Sequence, residues 1–198
     1  MKSVLVTGGT IRLGKIIADK LRAEGWRILT ASHRPDSGAD IIVDFSDPMG
    51  AARCYAEALK LLNGLPPDAL VNNAALFSGP DHLLNAVNFI APQKLTMLMA
   101  GRENGRGAVV NILDAQSRET AYGRTKRELG EWTLKASALF VDTLNVNAVA
   151  PGSILASPSV HEPAVISPMG RPTPDAVASA VSFLLSAPYT TGQIISVG

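Results

Sequence analysis

Tyr122 and Lys126 stand four positions apart, a spacing that puts both side chains on one face of a helix. An ammonium group beside a phenol favours the phenolate, so the pair predicts a tyrosine whose pKa is drawn from about 10 toward neutrality. Such a tyrosine can protonate the oxygen of a carbonyl that is receiving hydride, or take the proton back in reverse. Near the amino end, Thr7-Gly8-Gly9-Thr10-Ile11-Arg12-Leu13-Gly14 forms a second cluster. Its glycines let backbone approach a pyrophosphate, and the N-terminus of a following helix offers free N–H groups to it.

These groups need a frame. Val4-Leu5-Val6 is a short apolar run that ends at the glycine turn, and Leu13, Ile16, Ile17 and Leu21 follow at helical spacing. Trp26 to Thr30 then reads as a strand, which completes a βαβ unit. The pattern continues through strands at 41–43, 69–71, 108–113, 143–149 and 193–197, with helices at about 47–62, 83–99, 122–138 and 173–186. Short, fully apolar strands alternating with helices predict an α/β fold, a Rossmann-like doubly wound parallel sheet of seven strands with helices on both faces. Its ligand crevice lies at the carboxyl ends of the strands. No linker, repeat or low-complexity tract divides the chain, so one domain over 1–198 is expected.

Composition narrows the function classes. The 198 residues carry 18 Lys+Arg against 17 Asp+Glu, a balance that argues against a nucleic-acid or anionic-membrane footprint. No apolar run is long enough to span a bilayer, and the first residues lack a signal-peptide pattern, so a cytoplasmic protein is expected. One cysteine, Cys54, excludes an internal disulfide framework, and His33, His82 and His161 are too scattered for a metal site. Cys54 and Trp26 read as structural. A small-molecule site is what remains.

The cofactor preference is written after the second strand. An NAD-binding chain would carry an acid there, but this one has Ser32-His33-Arg34, and Arg12 replaces the middle glycine of the usual fingerprint. A 2′-phosphate carries about −1.5 to −2 charges, and arginine offers it a planar fork of donors. The expected cofactor is NADP(H).

Along nearly its whole length the chain resembles the short-chain dehydrogenase/reductase family. The motifs are the Thr7-Gly8 turn, Asp44-Phe45 after the third strand, Asn72-Asn73-Ala74-Ala75 after the fourth and Val87-Asn88-Phe89 in the following helix. Tyr122-Gly123-Arg124-Thr125-Lys126 and Pro151-Gly152 complete the set. The resemblance implies catalytic roles for Asn88, Asp114, Tyr122 and Lys126, with Lys126 also holding the nicotinamide ribose and Asn88 supporting a water-mediated proton relay. It implies cofactor contacts from Gly8, Thr10, Ile11, Arg12, Leu13, Gly14, Ser32, His33, Arg34, Asp44, Phe45, Asn73, Ala74, Ala75, Tyr122, Lys126, Pro151, Gly152 and Ile154.

Most members carry a serine where Asp114 stands. Together with Arg12 and Ser32-His33-Arg34, that acid resembles the pteridine reductase and dihydromonapterin reductase subgroup, in which an Asp assists proton delivery to a pterin ring. Phe77 falls where pteridine reductases place a pterin-sandwiching phenylalanine; it either stacks on a flat substrate or packs on the domain as a loop residue. Asp114 lies only eight positions before Tyr122, fewer than the family pattern, and leaves Ser117 as the alternative to Asp114. The loop from Pro151 to Pro172 is also short.

The helix from Leu83 to Met99 is apolar on more than one face. By resemblance it pairs with the tyrosine-bearing helix across a subunit interface joined by Trp132 and Leu139, so a homodimer or homotetramer is expected. Three functions are consistent with these residues: an NADPH-dependent reductase of a C=O or C=N bond with pterin as a candidate substrate, a general ketone or aldehyde reductase, and a non-catalytic NADP(H) sensor.

Overall fold

The computed structural model describes residues 1–103, 105–116, 119–152 and 172–198. The strands are β1 (Ser3–Thr7), β2 (Arg27–Ser32), β3 (Ile41–Ile42), β4 (Ala69–Asn72), β5 (Gly107–Ile112), β6 (Leu144–Pro151) and β7 (Ile194–Val197). They form one sheet in the order β3-β2-β1-β4-β5-β6-β7, with every neighbouring pair parallel. This is the doubly wound Rossmann-like α/β fold that the alternating pattern predicts. The chain direction across the sheet reverses between β1 and β4, and the carboxyl ends of the strands on either side open a crevice there.

The helices are α1 (Arg12–Ala23), α2 (Gly50–Leu61), α3 (Asp81–Asn85), α4 (Ala91–Ala100), α5 (Ala121–Leu139) and α6 (Pro174–Ser186). A π-helical turn, Ala86–Ile90, joins α3 to α4. Strand periodicity divides the core. Leu5, Leu70, Val109 and Val146 face Ala58, Leu95, Met99 and Leu129 on one side of the sheet. Val4, Val6, Val71 and Val110 face Ile17, Leu21, Val177 and Val181 on the other. β1, β4, β5 and β6 are buried throughout, as strands covered on both faces must be.

A buried polar chain ties the tyrosine-bearing helix to the sheet. Asn72 Nδ2 donates to Asn111 Oδ1 at 2.8 Å, Asn111 Nδ2 to Thr133 Oγ1 at 2.9 Å, and Thr133 Oγ1 to the Leu129 carbonyl at 2.8 Å. Each net bond contributes about 1 kcal/mol, and removing one partner leaves buried groups unsatisfied at a cost of about 1–3 kcal/mol. Adjacent strands and α5 are thereby held in one register, which sets the position of Tyr122 and Lys126.

Three expectations change. The second helix begins at Gly50 rather than at Asp47, because Asp47 Oδ1 and its carbonyl accept from the Met49 and Gly50 amides and form a turn first. The helix read as 83–99 extends from Asp81 to Ala100 and is interrupted by the π turn. Trp132 does not stand on an outer face: it is buried, with its ring edge-on to Phe140 at 6.4 Å. Among the described residues no helix is long and apolar enough to cross a membrane.

Candidate active site

The carboxyl ends of the strands open into one cavity of about 520 Å³, within the range of small-ligand sites. At its amino-terminal end Gly8 adopts φ +64°, and a Cβ on Gly14 would stand 2.0 Å from the Gly8 carbonyl oxygen. Both positions therefore require glycine. Thr7 Oγ1 accepts from the amides of Asn73 and Ala74 at 3.0 and 3.1 Å. The Asn73 side chain donates back to the Thr7 and Gly8 carbonyls at 3.0 and 3.1 Å. The turn after β1 and the loop after β4 are thus one rigid unit.

Thr10, Ile11, Arg12 and Leu13 continue the wall. No side chain caps the N-terminus of α1 and no acid lies in its first turn, so its leading N–H groups remain available to an anion. Arg12 holds φ +49°, a left-handed conformation that disfavours any side chain by about 1–2 kcal/mol. The glycine of the usual fingerprint belongs at such a backbone position, and this chain places a guanidinium there instead. Ser32, His33 and Arg34 line the far wall with Asp44 and Phe45. Asp44 Oδ1 accepts from the Ser46 amide at 2.8 Å. Hydrogen bonds from Ser46, and more weakly the charge of His33, hold the Asp44 carboxyl below its ordinary range.

The opposite end gathers Phe77, Asp114, Tyr122, Lys126, Pro151 and Gly152, with Ala74 and Ala75 between the two ends. Thr120 caps α5 by accepting from the Gly123 amide at 3.0 Å, which fixes Tyr122 in the first turn. Lys126 is buried, and its Nζ donates to the Ile112 carbonyl at 2.8 Å while lying 5.8 Å from the Tyr122 ring centroid. Burial lowers the Lys126 pKa to about 8, although the Asp114 charge pulls it upward.

The spacing of Tyr122 and Lys126 predicts a depressed tyrosine pKa, and the structure corrects this. Burial raises the Tyr122 pKa, and the charge of nearby Asp114 raises it further. Asp114 Oδ1 accepts from the Gln116 amide at 2.8 Å. Ser117, the alternative to Asp114, lies outside the described residues, as does Ile154.

Asn88 stands behind these residues. It is fully buried, and none of it lines the cavity. Its Oδ1 accepts from the Leu76 amide at 2.8 Å, and its Nδ2 donates to the Leu76 carbonyl at 2.8 Å and to Thr125 Oγ1 at 3.2 Å. The side chain's donors and acceptor are thereby engaged with Leu76 and Thr125, a structural role that the sequence did not announce. Sequence reasoning missed Ala31, Ser46, Leu76, Leu83, Val87, Ile112, Leu113 and Gln116 as cavity residues, Thr7 as the support of the loop after β4 and Thr125 as a partner of Asn88. Thr7 and Thr125 directly precede Gly8 and Lys126, and that adjacency was the available signal. Among the described residues no His, Cys, Asp or Glu cluster could hold a metal ion.

No protein-family model matches the chain. Protein FixR of Bradyrhizobium diazoefficiens is 30% identical to it, over 99% of this chain and 85% of that protein. The rhamnolipids biosynthesis 3-oxoacyl-(acyl-carrier-protein) reductase of Pseudomonas aeruginosa is also 30% identical, over 98% and 93% of the two chains. The chain belongs to the short-chain dehydrogenase/reductase family. A blue fluorescent protein from a metagenomic library, solved with NADPH, shares the fold of this short-chain dehydrogenase/reductase with a TM-score of 0.85. That likeness covers 98% of this chain and 95% of the other at 24% identity.

Within the short-chain dehydrogenase/reductase frame the residues present fit a nicotinamide dinucleotide. A glycine cradle, an uncapped helix N-terminus and two arginines occupy one end of the cavity, and a lysine–tyrosine pair the other.

Proposed function

We propose that the chain is an NADPH-dependent reductase that adds hydride and a proton across a C=O or C=N bond of a small, flat substrate, with a pterin-like heterocycle as the favoured class. The observation that carries the reading is the meeting of Asp114, Tyr122 and Lys126 in the cavity that also holds the glycine turn. Bound NADPH would supply the hydride.

The chain's own residues account for the rest. Arg12, Ser32 and Arg34 would hold the 2′-phosphate, and the first turn of α1 the pyrophosphate. Lys126 would anchor the ribose beside the reacting carbon. Tyr122 is held protonated by its surroundings, which suits a proton donor and therefore the reductive direction. Asp114 lies beside that phenol in the cavity wall, and the proton the phenolate regains after transfer would come from solvent. Phe77 offers an exposed ring face at the mouth.

A second reading is a general carbonyl reductase in which Asp114 is incidental, and the 3-oxoacyl reductase name of the Pseudomonas aeruginosa relative favours it. NADPH oxidation against a panel of dihydropterins, quinonoid compounds and small diketones tests both. Turnover of dihydropterins supports the first reading, and turnover of diketones alone supports the second. Tight NADPH binding with no turnover would overturn both in favour of a sensor. Met97 on α4 and Leu134 and Leu139 on α5 are exposed, which supports a homodimer or homotetramer; a single species of monomer mass by light scattering would remove that element.

A further inference from the structure

Strands β2 and β3 run parallel, yet only residues 33–40 join them, and none of these is helical. Parallel neighbours ordinarily need a crossover of about a dozen residues or more, with a helix that packs on the sheet and steadies the connection. This connection lacks such packing. Residues 33–36 are exposed, and a Cβ on Gly38 would meet nothing within 4 Å. His33 and Arg34 nonetheless line the cavity.

Hydrogen bonds hold the loop at both ends. At its start the Arg34 amide donates to Ser32 Oγ at 3.2 Å. The Arg34 carbonyl accepts from Ser37 Oγ at 2.6 Å and from the Ser37 amide at 3.2 Å. At its end Asp40 Oδ2 accepts from the Thr30 amide at 2.7 Å and from Thr30 Oγ1 at 2.8 Å. The Asp40 amide donates back to Thr30 Oγ1 at 3.2 Å. Thr30 is buried, and its Cγ2 would stand 2.9 Å from a Cβ on Gly9, in the turn that leads to Arg12. One threonine therefore links the loop of Arg34 to the turn of Arg12. Asp40 itself does not line the cavity.

We propose that Asp40 and Thr30 are positioning residues for cofactor choice: their hydrogen bonds stand in for the crossover helix this connection lacks and hold Arg34 on the same frame as Arg12, ready for a 2′-phosphate. The inference rests on the NADPH reading of the cavity and deepens it. Asp40 works against its own charge in this role. A carboxylate near a phosphate repels it, so Asp40 favours NADPH only through the position of Arg34.

The test titrates the full chain with NADPH and with NADH by fluorescence, and the ratio of the two dissociation constants is the preference. Asp40→Ala and Thr30→Val should each lower the preference about threefold to tenfold, the cost of ordering one long side chain on binding. The loss should fall on NADPH, with NADH held within about twofold. Thr30→Ser keeps the hydroxyl and should stay within about twofold of wild type. In an Arg34→Ala background, Asp40→Ala should change the ratio by less than about twofold, because the residue it positions is gone.

A charge effect alone has the opposite sign, since removing an acid would tighten NADPH. A preference kept or raised in either variant overturns the proposal. So do equal losses of both dinucleotides, a Thr30→Ser variant as impaired as Thr30→Val, or losses that add to that of Arg34→Ala. Asp40 is exposed, so Asp40→Ala serves if Thr30→Val, at a buried position, does not fold. Wild type that binds both dinucleotides alike overturns the NADPH reading and the brace with it. A wild-type preference that survives the loss of Asp40 overturns the brace alone.

Discussion

Asp114 and Tyr122 line the same cavity, and the acid that replaces the usual serine is near enough for its charge to act on the phenol. Burial, and after it the charge of Asp114, hold the proton on the tyrosine. Asp114→Asn removes the charge and should lower the Tyr122 pKa by about one unit or more. A tyrosinate absorbance titration, referenced to Tyr122→Phe, reads the shift. Loss of the carboxylate from the cavity should separately slow reduction of a C=N substrate by about tenfold or more, while a simple ketone is less affected.

Tyr122→Phe removes the proton donor and leaves the ring. The expected kcat is about a hundredfold to ten-thousandfold lower, the contribution of a positioned general acid. The NADPH dissociation constant should change by no more than about twofold, since ring burial and the Lys126 contact to Ile112 persist. Pre-steady-state and equilibrium fluorescence titrations separate the two effects, and full activity in the variant would end the assignment.

On the proposed NADPH reading, Arg12 and Arg34 would meet a charge that only one of the two nicotinamide dinucleotides carries. Arg34→Ala should raise the NADPH dissociation constant about tenfold to a hundredfold, the range of a charge-assisted hydrogen bond. NADH binding should stay within about twofold. An equal loss for both cofactors would assign Arg34 to the fold instead of to the phosphate.

Lys126 gives a stability signature in pH. Its folded pKa is depressed to about 8, against about 10.4 in an unfolded chain. Between those values the unfolded state holds a proton that the folded state has released, so the contribution to stability rises with pH. Tyr122 and Cys54 are both raised, Cys54 to about 12, and they oppose this rise as their unfolded pKa values are passed. Subtracting denaturant melts of Lys126→Met from wild type cancels them. The difference should increase by at most about 1.4 kcal/mol per unit between pH 8 and 10, and a flat difference would refute the depressed lysine.

Elements whose signal is local were readable before folding. The apolar runs of β1, β4 and β5, the glycines at 8 and 14 and the Thr173 cap of α6 each state their structure within a few residues. Contacts that depend on packing were not. Nothing near Trp132 says that Phe140 will cover it, and nothing near Asn88 says that its amide turns to Leu76, twelve positions earlier. The tyrosine's environment was misjudged for the same reason. The i,i+4 spacing shows that Lys126 is close, but only the folded chain shows that its ammonium faces Ile112 and that the charge of Asp114 acts on the phenol.

The π turn at Ala86–Ile90 makes this stretch intolerant of length change. A π turn carries one residue more than an α turn, and each helical residue advances the face by about 100°. α3 packs toward α5 and α4 toward α2, two directions that one regular helix could not serve together. Deleting any residue from 86 to 90 would yield a straighter helix, yet rotate either Asn88 away from Leu76 or Leu95 and Met99 out of the core. A single-residue deletion scan would therefore find a sharp barrier inside this helix, while the turns around Gly38 and Gly64, where an added side chain meets nothing within 4 Å, absorb the same change.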